Sequence, residues 1–262
     1  MDKHCRRGDS MASILYRIYL VLGMVRIAED DIVLDLGCGS GQYIERMCNA
    51  RLVVGGDLSL DELRRAKQRV IRHNSVNLAQ LDVRYLPFRK GVFTKVFIVE
   101  VLPMIQNLEP IAFEIRRVMS TGGVLILTYM RSSVNQLPLR LRRIIARIAP
   151  GFLKPEYWPP AWLVLNSDAE IQRDIGRFFA VVRRTSYLKL LGRIAWELWY
   201  ELPQPSNTTV RRLWIFGLLI LHFLQRIWPG EGNAILLACR PTSMPPSRLT
   251  TITPRAPDST RC

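Results

Sequence analysis

The segment Asp35-Leu36-Gly37-Cys38-Gly39-Ser40-Gly41 has the residue types and spacing to hold a ligand by its main chain. Glycines let the backbone turn sharply and let a ligand approach N–H groups closely. The loop follows the apolar run 31–36 and precedes Gly41–Cys48, which reads as a helix. A dinucleotide fingerprint would be G-x-G-x-x-G, with a pyrophosphate on the helix N-terminus. Here the third glycine comes a residue earlier, which points to a nucleoside-type ligand without a pyrophosphate. Asp57 ends a second apolar run, Leu52–Gly56, where a carboxylate can accept both hydroxyls of a ribose. Asp82 ends a third, Leu78–Leu81, where a carboxylate can accept from an adenine amino group. Both have plainer readings: a charge favoured at a helix N-terminus for Asp57, and a turn before Leu86-Pro87-Phe88 for Asp82.

No general base stands out. His4 lies in the terminal arm, His73 ends a helix where a cation suits the dipole, and His222 sits in an apolar helix. Glu100 and Tyr129, at the ends of later strands, are the candidate catalytic groups. The five cysteines form no C-x-x-C pair, which excludes a zinc ribbon and a disulfide scaffold and fits reduced thiols in a cytoplasmic setting.

These residues need a scaffold, and the hydrophobic pattern supplies one. Apolar runs at 31–36, 52–56, 78–81, 95–99 and 124–129 alternate with helical stretches at 41–48, 59–73 and 109–119. Ser59 and Glu62 form a capping box, as do Ser167 and Glu170. Strand–helix alternation implies right-handed crossovers and a doubly wound, mostly parallel sheet, with ligands at the strand carboxyl ends. Those ends carry Asp35, Asp57, Asp82, Glu100 and Tyr129. Beyond residue 130 the pattern gives a basic amphipathic helix at 138–149, a helix at 167–178, strands at 180–185 and 234–239, and helices at 188–202 and 209–228. The stretch 14–25, interrupted by Arg17, reads as a docked amphipathic helix rather than a signal peptide.

The motifs V-L-D-L-G-C-G-S-G at 33–41, G-D-L-S at 56–59, L-D-V-R-Y-L-P-F at 81–88, E-V-L-P at 100–103 and G-G-V-L at 122–125 resemble the class I S-adenosylmethionine-dependent methyltransferases, most closely the small-molecule and quinone-type branch. The resemblance implies a seven-stranded α/β Rossmann-like sheet with its last strand antiparallel, here with extra C-terminal helices. It implies S-adenosylmethionine as cofactor. Gly37, Cys38, Gly39 and Gly41 would form the loop along its methionine part, and Asp35 would help hold the amino group. Asp57 would bind the ribose, with Leu58 against the adenine. Asp82 and Val83 would hold the adenine amino group and ring, and the Glu100 backbone would touch the cofactor. Two departures stand out. Thr94 replaces the family's usual Asp before strand four, and the Glu100–Ile105 run lacks the second carboxylate and the His of relatives that use a metal. No metal is expected.

On this reading, residues 1–240 are the methyltransferase domain, with 30–130 as the cofactor-binding core. Residues 131–170 and 188–230 are helical lid insertions, and 241–262 is a Pro/Ser/Thr-rich disordered tail. The acceptor is read from charge and aromatic content. The net charge is +15, with 19 basic and 8 acidic residues in 131–262 against 18 and 14 before them. All six tryptophans also lie after residue 130. Aromatic side chains line apolar pockets, and arginines beside apolar helix faces suit anionic headgroups. The expectation is in-line methyl transfer to a small, apolar or lipid-like acceptor, with peripheral contact to a membrane surface. The alternative is an RNA substrate such as tRNA, its phosphates met by the basic half. No appended RNA-binding module or catalytic Cys motif supports that alternative.

Overall fold

The computed structural model describes residues 11–131, 166–187, 207–224 and 234–242. Strands β1 (Ile32–Leu36), β2 (Leu52–Asp57), β3 (Val76–Gln80), β4 (Phe93–Ile98), β5 (Met119–Met130), β6 (Phe179–Tyr187) and β7 (Ala234–Pro241) form one seven-stranded sheet. Its order is β3-β2-β1-β4-β5-β7-β6. The first five strands are parallel, and β7 runs antiparallel between β5 and β6. This is the doubly wound, mostly parallel sheet that the alternation of strands and helices predicts.

Side-chain period two sorts the strands onto two cores. Leu34, Leu36, Val96, Ile98, Leu125, Leu127, Ile235 and Leu237 face one side. There they meet α3 (Glu109–Val118), through Ile111, Ala112 and Ile115, and α4 (Asp168–Asp174), through Ile171. Val33, Val53, Phe97, Ile126 and Leu236 face the other side. They pack with α1 (Met11–Leu22), through Tyr16 and Val21, and with α2 (Leu60–Val70), through Leu63 and Val70. A further helix, α5 (Thr208–Leu224), lies along α1.

Several expectations are corrected. Gly41–Cys48 is not a helix: it holds one 3-10 turn, Ile44–Arg46. Ile44 and Met47, both fully buried, lie three apart, which suits a tight turn that must re-enter β2 at Leu52. Ser59 accepts from the Glu62 N–H at 3.3 Å, but Glu62 pairs with Arg65 instead of reaching back. The Ser59 N–H goes to Asp57 Oδ1, so only half of that capping box forms, whereas Ser167 and Glu170 complete theirs. On α1 the buried side chains are Tyr16, Arg17, Ile18 and Val21; Leu15 and Leu22 stay half-exposed. The expected helices at 138–149 and 188–202, every tryptophan except Trp214, and the tail 243–262 lie outside the described residues.

Thr94 has a local role. Its hydroxyl donates to Asp31 Oδ1 at 2.6 Å and accepts from the Ile32 N–H, at the start of β1. Lys95 Nζ and the Ala28 N–H also donate to Asp31. Burial would raise the Asp31 carboxyl, but these bonds outweigh it and hold it below the usual range.

Close packing on β2 depends on Gly55. A methyl added there would lie 2.3 Å from Ile44 Cδ1 and 2.9 Å from Leu78 Cδ2. Overpacking a fully buried position costs about 1–3 kcal/mol. Gly55→Ala should therefore lower the urea midpoint despite the better strand propensity of alanine. An unchanged midpoint would show that the 40–47 segment moves aside freely.

Candidate cofactor and acceptor site

The loop after β1 closes on itself before it meets any ligand. Gly37, Gly39 and Gly41 all have positive φ, at 71°, 49° and 79°. The Gly37 and Cys38 N–H groups both donate to the Gly56 carbonyl, at 2.7 and 3.0 Å. Gly37 can be nothing larger, because an added methyl would overlap Val101 Cγ2 at 2.2 Å. Around Gly39, by contrast, an added methyl would meet no atom within 4 Å. The loop is thus tight on its protein side and open on its outer side.

Asp57 joins the loop to α2. Its Oδ2 accepts from the Gly39 N–H at 2.8 Å and its Oδ1 from the Ser59 N–H at 2.9 Å. Each oxygen keeps a lone pair for a further donor. Leu58, directly after it, is exposed. Asp35 is buried, and its Oδ2 has no hydrogen-bond partner among the described residues. Burial, and then the charge of Asp57, push its carboxyl up to about 7. Cys38 is also buried, and burial followed by the charges of Asp35 and Asp57 pushes its thiol up. It is no nucleophile at neutral pH.

Asp82 stands at the β3 end, as the spacing requires, but Arg84 holds its carboxylate with two nitrogens, and the Arg84 N–H also donates to it. The hydrogen bonds from Arg84 hold the carboxyl below its ordinary value. Val83 is half-buried against the core.

Glu100 and Tyr129 are not brought together. Tyr129 belongs to the core face shared with α3 and α4, and its hydroxyl donates to Asp168 at 2.7 Å. Glu100 has a left-handed backbone, with φ of 63°, unusual for a residue with a side chain. Its N–H donates to Thr128 Oγ1 at 2.7 Å. Its carboxylate accepts from Arg17 Nη1 at 2.9 Å and from the Tyr187 hydroxyl at 2.6 Å. Burial and then the Glu100 charge raise the Tyr187 hydroxyl, so it stays a donor. The Tyr43 hydroxyl is buried beside Arg17, and it feels the charges of Arg17, Glu100 and Asp35.

Sequence reasoning missed Arg17, Tyr43 and Tyr187. The available signal was Arg17 itself: a lone charge inside an apolar helical run needs a buried partner. Among the described residues no group of His, Cys, Asp and Glu could hold a metal ion.

Residues 34–127 match a family model described as a methyltransferase domain. The malonyl-acyl-carrier-protein O-methyltransferase of Legionella pneumophila is 31% identical over 130 residues. That match spans 48% of this chain and 45% of the relative, less than half of either. Among solved structures, the geranyl diphosphate C-methyltransferase of Streptomyces coelicolor is 17% identical, with a TM-score of 0.57 over 86% of this chain and 77% of its own. The cyclase SpnF is also 17% identical, with a TM-score of 0.58 over 86% of this chain and 80% of its own. The fold is that of the class I methyltransferases, and a cyclase shares it, so chemistry must be argued from the site.

The buried Asp35 makes a stability prediction. Its carboxyl is raised to about 7, against about 3.9 in an unfolded chain. The native state therefore keeps a proton that the unfolded state releases, and stability falls as pH rises from about 4 to about 7. Asp35→Asn should abolish that slope and stabilise the ligand-free protein at pH 8, by on the order of 2–4 kcal/mol. The two proteins should unfold alike near pH 4. Parallel stability curves for both across this range would contradict the buried, protonated Asp35.

Proposed function

We propose that the chain, which carries a class I S-adenosylmethionine-dependent methyltransferase domain, transfers a methyl group in line to a small, apolar or lipid-like acceptor. The observation that carries the cofactor part is the pairing of Asp35 Oδ2, a buried acceptor without a partner, with the open outer side of Gly39. A cationic amino group satisfies the first, and a ligand chain running over the loop fills the second. S-adenosylmethionine supplies, when bound, a methyl group already activated by its sulfonium. Asp57 is proposed to accept from the ribose hydroxyls with its free lone pairs, and Leu58 to lie against the adenine. Asp82 and Val83 are proposed for the adenine edge, where the carboxylate keeps its bonds to Arg84.

The protein's main task is to hold the acceptor in line, and orientation of this kind supplies about 7–11 kcal/mol. Glu100 is proposed to stand at the acceptor side, fixed by Arg17 and Tyr187, with the Tyr43 hydroxyl as a further donor nearby. A carboxylate held this way accepts a hydrogen bond from the acceptor's nucleophile. Tyr129, committed to Asp168 on the other face, is set aside as packing.

The apolar acceptor is favoured by the exposed aliphatic and aromatic side chains of α5 beside α1. The malonyl and geranyl acceptors named for the relatives are likewise small molecules or small groups on a carrier. The RNA reading keeps only the net charge in its favour.

Asp57→Ala should weaken binding of S-adenosylmethionine by roughly 10- to 100-fold, since it removes a charged acceptor worth about 1.5–3 kcal/mol and frees the Gly39 N–H. An unchanged dissociation constant in calorimetry would leave Asp57 as a loop clamp only. Incubating the protein with methyl-labelled cofactor and cell extract tests the acceptor. Label should enter the organic-solvent fraction; label in RNA would replace this reading with the alternative.

A further inference from the structure

Helix α5 has a divided surface. Leu218 is buried, and Trp214, Ile215, Leu219 and Leu221 pack around it. The Phe223 ring meets Tyr16 edge-on, with centroids 5.3 Å apart, and Tyr19 at 5.4 Å. On the side away from Leu218, Leu213, Phe216, Ile220 and Leu224 are exposed, from 42% to 66%, and the partly exposed Phe223 lies at their edge. They lie three and four residues apart, so they form one stripe over three turns. Phe223 carries the stripe to Tyr19, half-exposed on α1, beside a groove lined by Leu15, Ile18, Leu22 and Gly23. Isolated apolar residues on a surface are ordinary, but a contiguous patch of this kind marks an interaction site.

Charge identifies what covers it. Neither α1 nor α5 contains an acidic residue. Arg46 borders the groove, Arg183 is exposed and donates to the Gly23 carbonyl at 2.8 Å, and Arg212 is exposed near the start of the stripe. Arginines around an apolar face match a layer that is anionic at its surface and apolar beneath, which is a bilayer leaflet with acidic headgroups. A second copy would set Arg46, Arg183 and Arg212 of two chains, each of net charge +15, near one another with no acidic residue on α1 or α5 to answer them. RNA would use the arginines and leave the aliphatic stripe in water. Among the described residues no helix is long and apolar enough to cross a membrane.

We infer that the α1–α5 face docks on an anionic bilayer and places the site beside the lipid from which the acceptor comes. The link is α1 itself. One side of this helix carries Tyr19 and the groove, while Arg17 on its buried side bonds to Glu100 at the strand ends. This inference rests on the lipid-like acceptor proposed above and adds the surface that would collect it.

Flotation of the full-length protein with vesicles tests it, comparing phosphatidylcholine alone with a mixture containing phosphatidylglycerol. The protein should float with the anionic vesicles and be released only in part by 0.5 M salt (an ionic strength where surface charges are screened within about 4 Å). Phe216→Ser with Ile220→Ser should weaken flotation at least tenfold, and Arg212→Gln with Arg46→Gln should remove the preference for anionic lipid. All variants should keep the wild-type calorimetric affinity for S-adenosylmethionine and the wild-type melting temperature. Wild-type protein that ignores anionic vesicles, or a serine variant that floats as well as wild type, overturns the inference. So does a serine change that only converts a dimer to a monomer in light scattering, or retention by RNA that salt fully reverses. Methyl label in organic solvent without vesicle binding would keep the proposed function and remove the docking surface alone.

Discussion

One carboxylate organises the ligand-facing end of this sheet. Asp57 takes the Gly39 N–H with one oxygen and the Ser59 N–H with the other. It thereby ties the glycine loop after β1 to the first turn of α2. The Gly37 and Cys38 N–H groups go to the Gly56 carbonyl, one residue before Asp57, and the Gly41 N–H turns back to the Cys38 carbonyl. The Leu81 N–H bonds to the Asp57 carbonyl, so the segment after β3 is drawn to the same point. Parallel neighbours thus end in one small cluster, and a ligand placed there meets main chain from several strands at once.

That arrangement has an electrostatic consequence. Two carboxylates, Asp35 and Asp57, lie close enough that burial and mutual repulsion keep Asp35 protonated near neutrality. The ligand-free site therefore stores an unfavourable interaction that a cationic ligand relieves. The same logic runs in reverse at Glu100. Its strained backbone is held by Thr128, and its charge is answered by Arg17 and Tyr187, which come from distant parts of the chain. Strain of this kind persists only where the surroundings fix it. Arg17 fixes it from a helix that also carries the half-exposed Tyr19.

The sheet was legible because the central strands are short, largely apolar runs, and β1, β2 and β4 run directly into Gly37, Asp57 and, two residues on, Glu100. The parallel order follows from the helices between them. The loop was legible because glycine at positive φ has few substitutes. The helix expected over Gly41–Cys48 is reduced to the 3-10 turn Ile44–Arg46, which buries Ile44 and Met47 before the chain enters β2 at Leu52. The half-formed cap at Ser59 failed because a nearer acceptor, Asp57, takes its N–H. Arg17 and Tyr187 escaped notice because they lie 83 and 87 residues from Glu100 in sequence, a separation no local pattern reports. Tyr129 and Glu100 look equivalent at strand ends, yet the pleat sends Tyr129 to the opposite face.

We propose that the buried Asp35, its carboxyl raised to about 7, exchanges its proton for the amino group of S-adenosylmethionine. Titration calorimetry at pH 6, in buffers of different ionisation enthalpy, tests this directly. Binding should be one-to-one, with a heat that varies with the buffer because Asp35 gives up its proton as the cation arrives, and that proton release should shrink as pH rises through about 7. Binding without proton release at pH 6, or no binding of the cofactor at all, would contradict the account.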